Sequence, residues 1–184
     1  GLEWYFAPVG SLTLTGFYKK IHNFFYQDIT QRAITNNGIT QNVLVRGPAN
    51  FDGTGKVQGF EVAYQQVYDF LPGALAGLGA TASYTFIDSE GVPNSLLNGG
   101  APANNSPIGV AGNLPLEQLS RHNINAAVFY ERGPVSVRVA YNWRSKFLLT
   151  AADVIFPYFP IFNDETGQLD ASAFYSITPN LKIG

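Results

Sequence analysis

Cysteine is absent from the 184 residues, which excludes a disulfide framework and any thiolate metal site. Charge is scarce as well. Asp, Glu, Lys and Arg together make up 13% of the chain, about half of the roughly 25% usual in a soluble domain. A soluble fold of this size needs a charged exterior, and little is available here to build one. The net charge of −2 leaves no basic footprint for nucleic acid. Nor does any stretch approach the roughly 18–20 consecutive apolar residues of a membrane helix. If this chain crosses a membrane, it does so with strands.

What the chain has instead is Phe (14), Tyr (10) and Gly (19), arranged with a period of two. Successive side chains of a strand point to opposite faces, so that period is the signature of strands. Leu78, Ala80, Ala82, Tyr84 and Phe86 fall on one face, Gly79, Thr81, Ser83 and Thr85 on the other. Val135, Val137, Val139, Tyr141 and Trp143 oppose Ser136, Arg138, Ala140, Asn142 and Arg144. Leu169, Ala171, Ala173, Tyr175 and Ile177 oppose Asp170, Ser172, Phe174 and Ser176. Weaker alternation runs through 2–6, 12–19, 59–65 (where Gln66 breaks the stripe) and 123–130, and no segment has a helical period. The expected fold is an all-β meander.

Connections between these segments alternate between short and long. Ala7-Pro8-Val9-Gly10, Leu71-Pro72-Gly73-Ala74, Glu131-Arg132-Gly133-Pro134 and Thr178-Pro179-Asn180 read as tight turns, whereas 27–56, 88–119 and 146–167 read as long loops. That rhythm is the one expected of an antiparallel up-and-down transmembrane β-barrel, with tight turns on the periplasmic side and large loops outside. A soluble barrel would give the same period with its apolar face turned inward. Three features favour lipid on the apolar side. The polar face is Thr, Ser, Asn, Gln and Gly with sparse charge, which suits a lumen. Aromatic residues gather near the short turns (Trp4, Phe6, Phe70, Tyr130, Tyr175) and near the long loops (Tyr18, Tyr84, Phe86, Tyr141, Trp143), as two girdles at headgroup depth would. Several segments also outrun the roughly 5–6 residues of a typical strand.

Orientation by the turns gives seven strands and the start of an eighth. Eight strands can close into a small barrel filled by its own side chains, but the inward positions here are often Gly, Ala, Ser or Thr. The sequence also opens and stops inside alternating segments, at Gly1-Leu2-Glu3-Trp4 and Leu181-Lys182-Ile183-Gly184. A barrel segment of about seven to eight strands from a larger structure is therefore expected over 1–184, because hydrocarbon does not tolerate unpaired sheet edges.

Particular residues carry a resemblance. Tyr141-Asn142-Trp143-Arg144-Ser145 at a strand end, Gly167-Gln168-Leu169-Asp170-Ala171-Ser172 followed by Tyr175-Ser176-Ile177 and a Pro-Asn turn, Ser120-Arg121-His122-Asn123, and Gly55 with Gly59-Phe60-Glu61 together resemble the C-terminal part of the barrel in TonB-dependent outer-membrane receptors. The resemblance covers nearly the whole chain. It implies a plugged barrel of roughly 22 strands, with the plug domain, the TonB-binding segment and the final strands absent from this chain. It implies active import of a scarce nutrient across the outer membrane, energised through the TonB complex, with outer-membrane lipid around the wall and a small ligand within. Carbohydrate is favoured as cargo and a siderophore is the competitor. A passive outer-membrane diffusion porin is the alternative; an enzyme is not expected, nor is a cofactor.

Candidate ligand contacts are Arg144 and Asn142 near the outer mouth, and Phe156, Tyr158 and Phe159 in the loop 151–166. The three aromatics either stack on a sugar ring or an aromatic chelator, or pack against neighbouring loops to stiffen the vestibule; packing is the expectation, since a long ordered loop must bury something. Glu61, Arg138 and Asp170 should line the lumen. They either form ion pairs within the wall or to a plug, or offer a polar lining in which Arg grips a carboxylate or phosphate. His22 and His122 fall near the extracellular rim, and Ser120 lies two residues from His122, but no motif for nucleophilic catalysis surrounds them. Asp153, Asp164 and Glu165 lack the spacing of a calcium loop, so no metal is expected. The stretch from Val92 to Pro115 is rich in Gly, Asn and Pro and is expected to be mobile, closing over a captured ligand.

Overall fold

The computed structural model describes residues 1–50, 53–93, 113–151 and 159–184, and at residues 26–30, 46, 92, 93 and 113 the backbone alone. Its elements are β1 (Leu2–Ala7), β2 (Gly10–His22), β3 (Phe25–Asn36), β4 (Ile39–Asn50), β5 (Thr54–Val67), a single 3-10 turn (Gly73–Gly77), β6 (Leu78–Glu90), β7 (Val92–Pro93), β8 (Asn113–Leu114), β9 (His122–Arg132), β10 (Val135–Arg144), β11 (Phe147–Thr150), β12 (Ile161–Asn163), β13 (Thr166–Thr178) and β14 (Leu181–Ile183).

Eight of these form one antiparallel sheet in the order β1-β2-β5-β6-β9-β10-β13-β14. The sequence-predicted meander and its strand count are what is found. Directly opposed residues share a face, so the register extends each strand's alternation across the sheet. One row runs Trp4, Leu12, Tyr64, Ala82, Ala126, Tyr141, Leu169. The next runs Leu2, Leu14, Val62, Tyr84, Ile124, Trp143, Gly167. The large apolar side chains of these rows are open to the surroundings: Leu169 is 68% exposed, Leu2 66% and Trp4 60%. An apolar surface this wide is far beyond what a water-facing monomer tolerates.

The edges of the apolar band are marked chemically. Toward the long connections the rings of Phe60 and Phe86 stand 5.6 Å apart, and His122 lies 5.4 Å from Phe86. Beyond this aromatic row the same face turns charged, with Lys56 paired to Glu90 and Arg121 to Asp88, both at 2.8 Å. Toward the short turns Trp4 packs 5.3 Å from Phe6, and Tyr68 5.9 Å from Phe70. Between the borders, Leu78 to Phe86 on β6 covers about 27 Å of strand at roughly 3.4 Å per residue, the length a tilted strand needs to cross hydrocarbon. Gln66 interrupts the apolar stripe without being orphaned, because the Tyr64 hydroxyl donates to its side-chain oxygen at 2.8 Å.

The connections depart from expectation in two ways. The segment around Leu71–Ala74 is no tight turn: it spans 68–77 and holds the 3-10 turn, because Pro72 and the following small residues favour a local coil of chain. The long connections, read as loops, carry their own hairpins. β3 and β4 pair along their whole length, turning at Asn37 (φ 51°) and Gly38 (φ 79°). Both angles are left-handed, as the two-residue hairpin turn that matches strand twist requires, and Asn-Gly is its preferred pair. β7 pairs with β8, and β11 with β12. The largest fully buried side chain, Leu148, sits among these connections with Leu114 and Ala151, packed against Phe24 and Leu116. Within the single-layer wall itself, Val57 and Ala127 are the buried hydrophobic residues among those described.

Two outcomes follow from this arrangement. Val139 and Ala140 sit at one depth on opposite faces, so Val139→Asp is expected to lower the yield of membrane-inserted protein well below that of Ala140→Asp, measured by heat-shifted mobility in membrane fractions. Gly59 has no room for a side chain, since a Cβ there would collide with the Phe86 carbonyl and the Phe17 ring. Gly59→Val should therefore lower the thermal unfolding temperature of the barrel by several degrees, a shift typical of an overpacked site.

Candidate functional site

The other face is mostly polar along the long strands, with Phe17, Phe129 and Phe174 among its residues. Thr13, Ala63, Ser83, Asn125, Asn142 and Gln168 form one row, and Thr15, Glu61, Thr85, Asn123, Arg144 and Thr166 the next row outward. This face is concave. A hollow of about 360 Å³ is bounded by Ser11, Thr13, Gln65, Thr81, Asn125 and Arg138, contributed by five successive strands. Nearer the outer mouth, a second hollow of about 570 Å³ is lined by Asn123, Asn125, Asn142, Arg144, Thr166 and Gln168.

Asn142 and Arg144, both singled out in the sequence, come together in this upper hollow. The Arg144 Nε donates to Thr166 Oγ1 at 3.1 Å, and its guanidinium lies 4.6 Å from the centroid of the Phe147 ring. That seat holds the planar cation by stacking as well as by a hydrogen bond. Around it the amides of Asn123, Asn125 and Gln168 present both donors and acceptors. Asn125 Nδ2 donates to Ser83 Oγ at 3.4 Å, and Gln168 Nε2 to Asp170 Oδ1 at 2.9 Å. Phe159 stands just before β12, 48% exposed and outside the lining of this hollow. Phe156 and Tyr158 lie outside the described residues, as do Asp153 and most of the Val92–Pro115 stretch.

Glu61, Arg138 and Asp170 all lie on the concave face. Among the described residues they form no ion pair with one another, and the two ion pairs present both lie on the outer, lipid-side face. Glu61 on β5 is three strands from Arg138 on β10, about 14 Å at the usual strand spacing, and Asp170 accepts from Gln168 instead. Glu61 and Arg138 have no polar partner among the described residues, leaving two lumenal charges of opposite sign available to whatever fills the concavity.

The rim residues have local employment. The His122 Nδ1 and the Tyr84 hydroxyl lie 2.8 Å apart, and His22 Nδ1 lies 3.2 Å from Thr54 Oγ1. Ser120 is buried, and its carbonyl accepts from Asn123 Nδ2 at 3.1 Å. Asn123, Asn125, Thr166 and Gln168 were not named as ligand contacts from the sequence. Each sits on the polar parity of its strand, but only the register reveals that they meet Asn142 and Arg144.

A family model described as TonB dependent receptor-like, beta-barrel, matches residues 1–184. The chain belongs to the TonB-dependent receptor β-barrel family. No curated protein gives a significant match. The eight-stranded sheet is thus part of an all-β antiparallel barrel wall, in a family of outer-membrane receptors that work in TonB-dependent transport. Its apolar face is the lipid side and the concave polar face the lumen.

Because Arg138 and Glu61 have no partner in the wall, Arg138→Ala and Glu61→Ala should each change wall stability by less than about 0.5 kcal/mol. Arg144→Ala, which removes both the Thr166 bond and the Phe147 contact, should destabilise by about 1 kcal/mol. Urea unfolding in lipid vesicles measures all three.

Proposed function

We propose that this chain is wall and outer mouth of an active importer for a scarce nutrient, with carbohydrate as cargo. The observation that carries the reading is the upper hollow, where four neutral amides and one threonine surround a single cation. Sugar hydroxyls donate and accept, and amides do both in return. An anionic metal chelate would instead favour several cations, and Arg144 stands alone among the lining residues. Arg144 and Asn142 serve as ligand contacts. Glu61, Arg138 and Asp170 face a plug contributed from outside this chain.

The wall continues beyond these strands in this proposal. β1 and β14 each pair on one side only among the described residues, and open edges are not stable in hydrocarbon. Further strands on both sides close a larger barrel around the plug. The passive porin is the second reading, favoured by the small side chains Ala63, Ala127 and Ala140 that line the lower hollow.

Uptake measured on cells separates the readings. An importer concentrates labelled oligosaccharide from dilute medium and stops when a protonophore collapses the energy source. Uptake that persists unchanged under the protonophore would establish the porin instead. Asn142→Ala and Gln168→Ala should each raise the KM for the oligosaccharide several-fold, as expected for a lost hydrogen bond worth about 1 kcal/mol. A deletion strain that fails only under iron limitation, and grows normally on every single carbon source, would overturn the carbohydrate assignment.

A further inference from the structure

The returning half of the second long connection and the start of the third are built as one body. Leu114 comes from the former, Leu148 and Ala151 from the latter, and together they form the buried cluster above the wall, with Leu116 and Phe24 packed against it. Backbone links reinforce it: Gln118 N donates to the Leu148 carbonyl at 2.7 Å, and Ser145 N to the His122 carbonyl at 2.9 Å. Leu116 N donates to Ser89 Oγ at 3.1 Å, tying the body to the top of β6.

One side chain stands out. The Glu117 Oε1 accepts from the backbone N–H of Ala151 at 2.6 Å. Ala151 is 1% exposed and directly follows β11. A buried backbone donor must find a partner, and this one is satisfied by a carboxylate from another connection, a charge-assisted bond of the stronger kind. Gln118, the next residue, has φ +62°. A non-glycine residue adopts that left-handed conformation only where its surroundings over-determine it. The twist sets the Gln118 N–H on Leu148 of β11 and the Glu117 carboxylate on Ala151, the residue that follows β11.

We infer that Glu117 is a positioning residue that pins β11, and with it Phe147, beneath which Arg144 is seated. The sequence Glu117–Ala151, β11, Phe147–Arg144 is continuous in contacts. Phe147 is buried and pairs with Asn163 of β12, so displacing β11 moves the aromatic surface that holds the guanidinium. Residues 114–118 and 147–151 are thus a preassembled rim, and any closure over a ligand must use other segments. This inference goes beyond the proposed cargo and does not depend on it.

The test is hydrogen–deuterium exchange on the full-length receptor in lipid vesicles, without ligand. Wild type should protect the amides of Gln118 and Ala151. Glu117→Ala should raise exchange over 147–151 roughly tenfold or more, the loss expected for one charge-assisted bond, while the β3–β4 hairpin is unchanged. Glu117→Gln keeps a side-chain oxygen at the same reach and should restore most of the protection. Protection in Glu117→Ala equal to wild type would overturn the inference, as would a Glu117→Gln variant that exchanges as fast as Glu117→Ala. Loosening that spreads to the hairpin in Glu117→Ala would also overturn it, by showing a general structural role.

Discussion

Hydrocarbon against one face of the sheet is the constraint from which the rest follows. It offers no hydrogen bonds, so every backbone group at that depth must be met by a neighbouring strand. Sequential antiparallel pairing from β1 to β14 achieves this with short connections at one end. It also dictates side-chain chemistry: Leu, Val, Ile, Tyr and Trp on the lipid face, with charge appearing only beyond the aromatic rows. Lys56–Glu90 and Arg121–Asp88 mark where the hydrocarbon stops.

Relieved of making a core, the opposite face is free to be polar. Small side chains such as Ala63, Ala127 and Ala140 leave space within the concavity, and Asn123, Asn125, Asn142 and Gln168 give its upper part hydrogen-bonding capacity. Packing that a soluble domain would place between layers is displaced to the long connections. Leu148 is buried there, and so is Phe147, which supports Arg144. The rigid wall sets the register of the lumenal amides, and the packed rim sets the pose of the one cation among them.

Much of this was legible in the residues. The period of two assigned Val139 and Arg138 to opposite faces, and the register confirms both. The resemblance carried by Tyr141–Ser145 and Gly167–Ser172 agrees with the family assignment. Lateral relations were not legible. Alternation gives the face of Asn125 but not its height, so its place beside Asn142 emerges only from cross-strand pairing. The β3–β4 hairpin was signalled by Asn37-Gly38 between alternating segments, yet the surrounding loop rhythm hid it. The Leu71–Ala74 turn was misjudged in length because Pro72 and Gly73 mark a reversal without saying how many residues precede it. The role of Glu117 had no sequence signal, since its partner is a backbone amide 34 residues away.

The claim that lipid meets the Val/Tyr/Trp face is tested most directly by collision measurements on nitroxide labels placed one at a time at residues 126–129 and 137–140 in membranes. Labels at 126, 128, 137 and 139 should collide with dissolved oxygen and be shielded from a water-soluble nickel complex, with the pattern reversed at 127, 129, 138 and 140. Nickel accessibility at 128 and 139, with oxygen favoured at 127 and 140, would contradict the account.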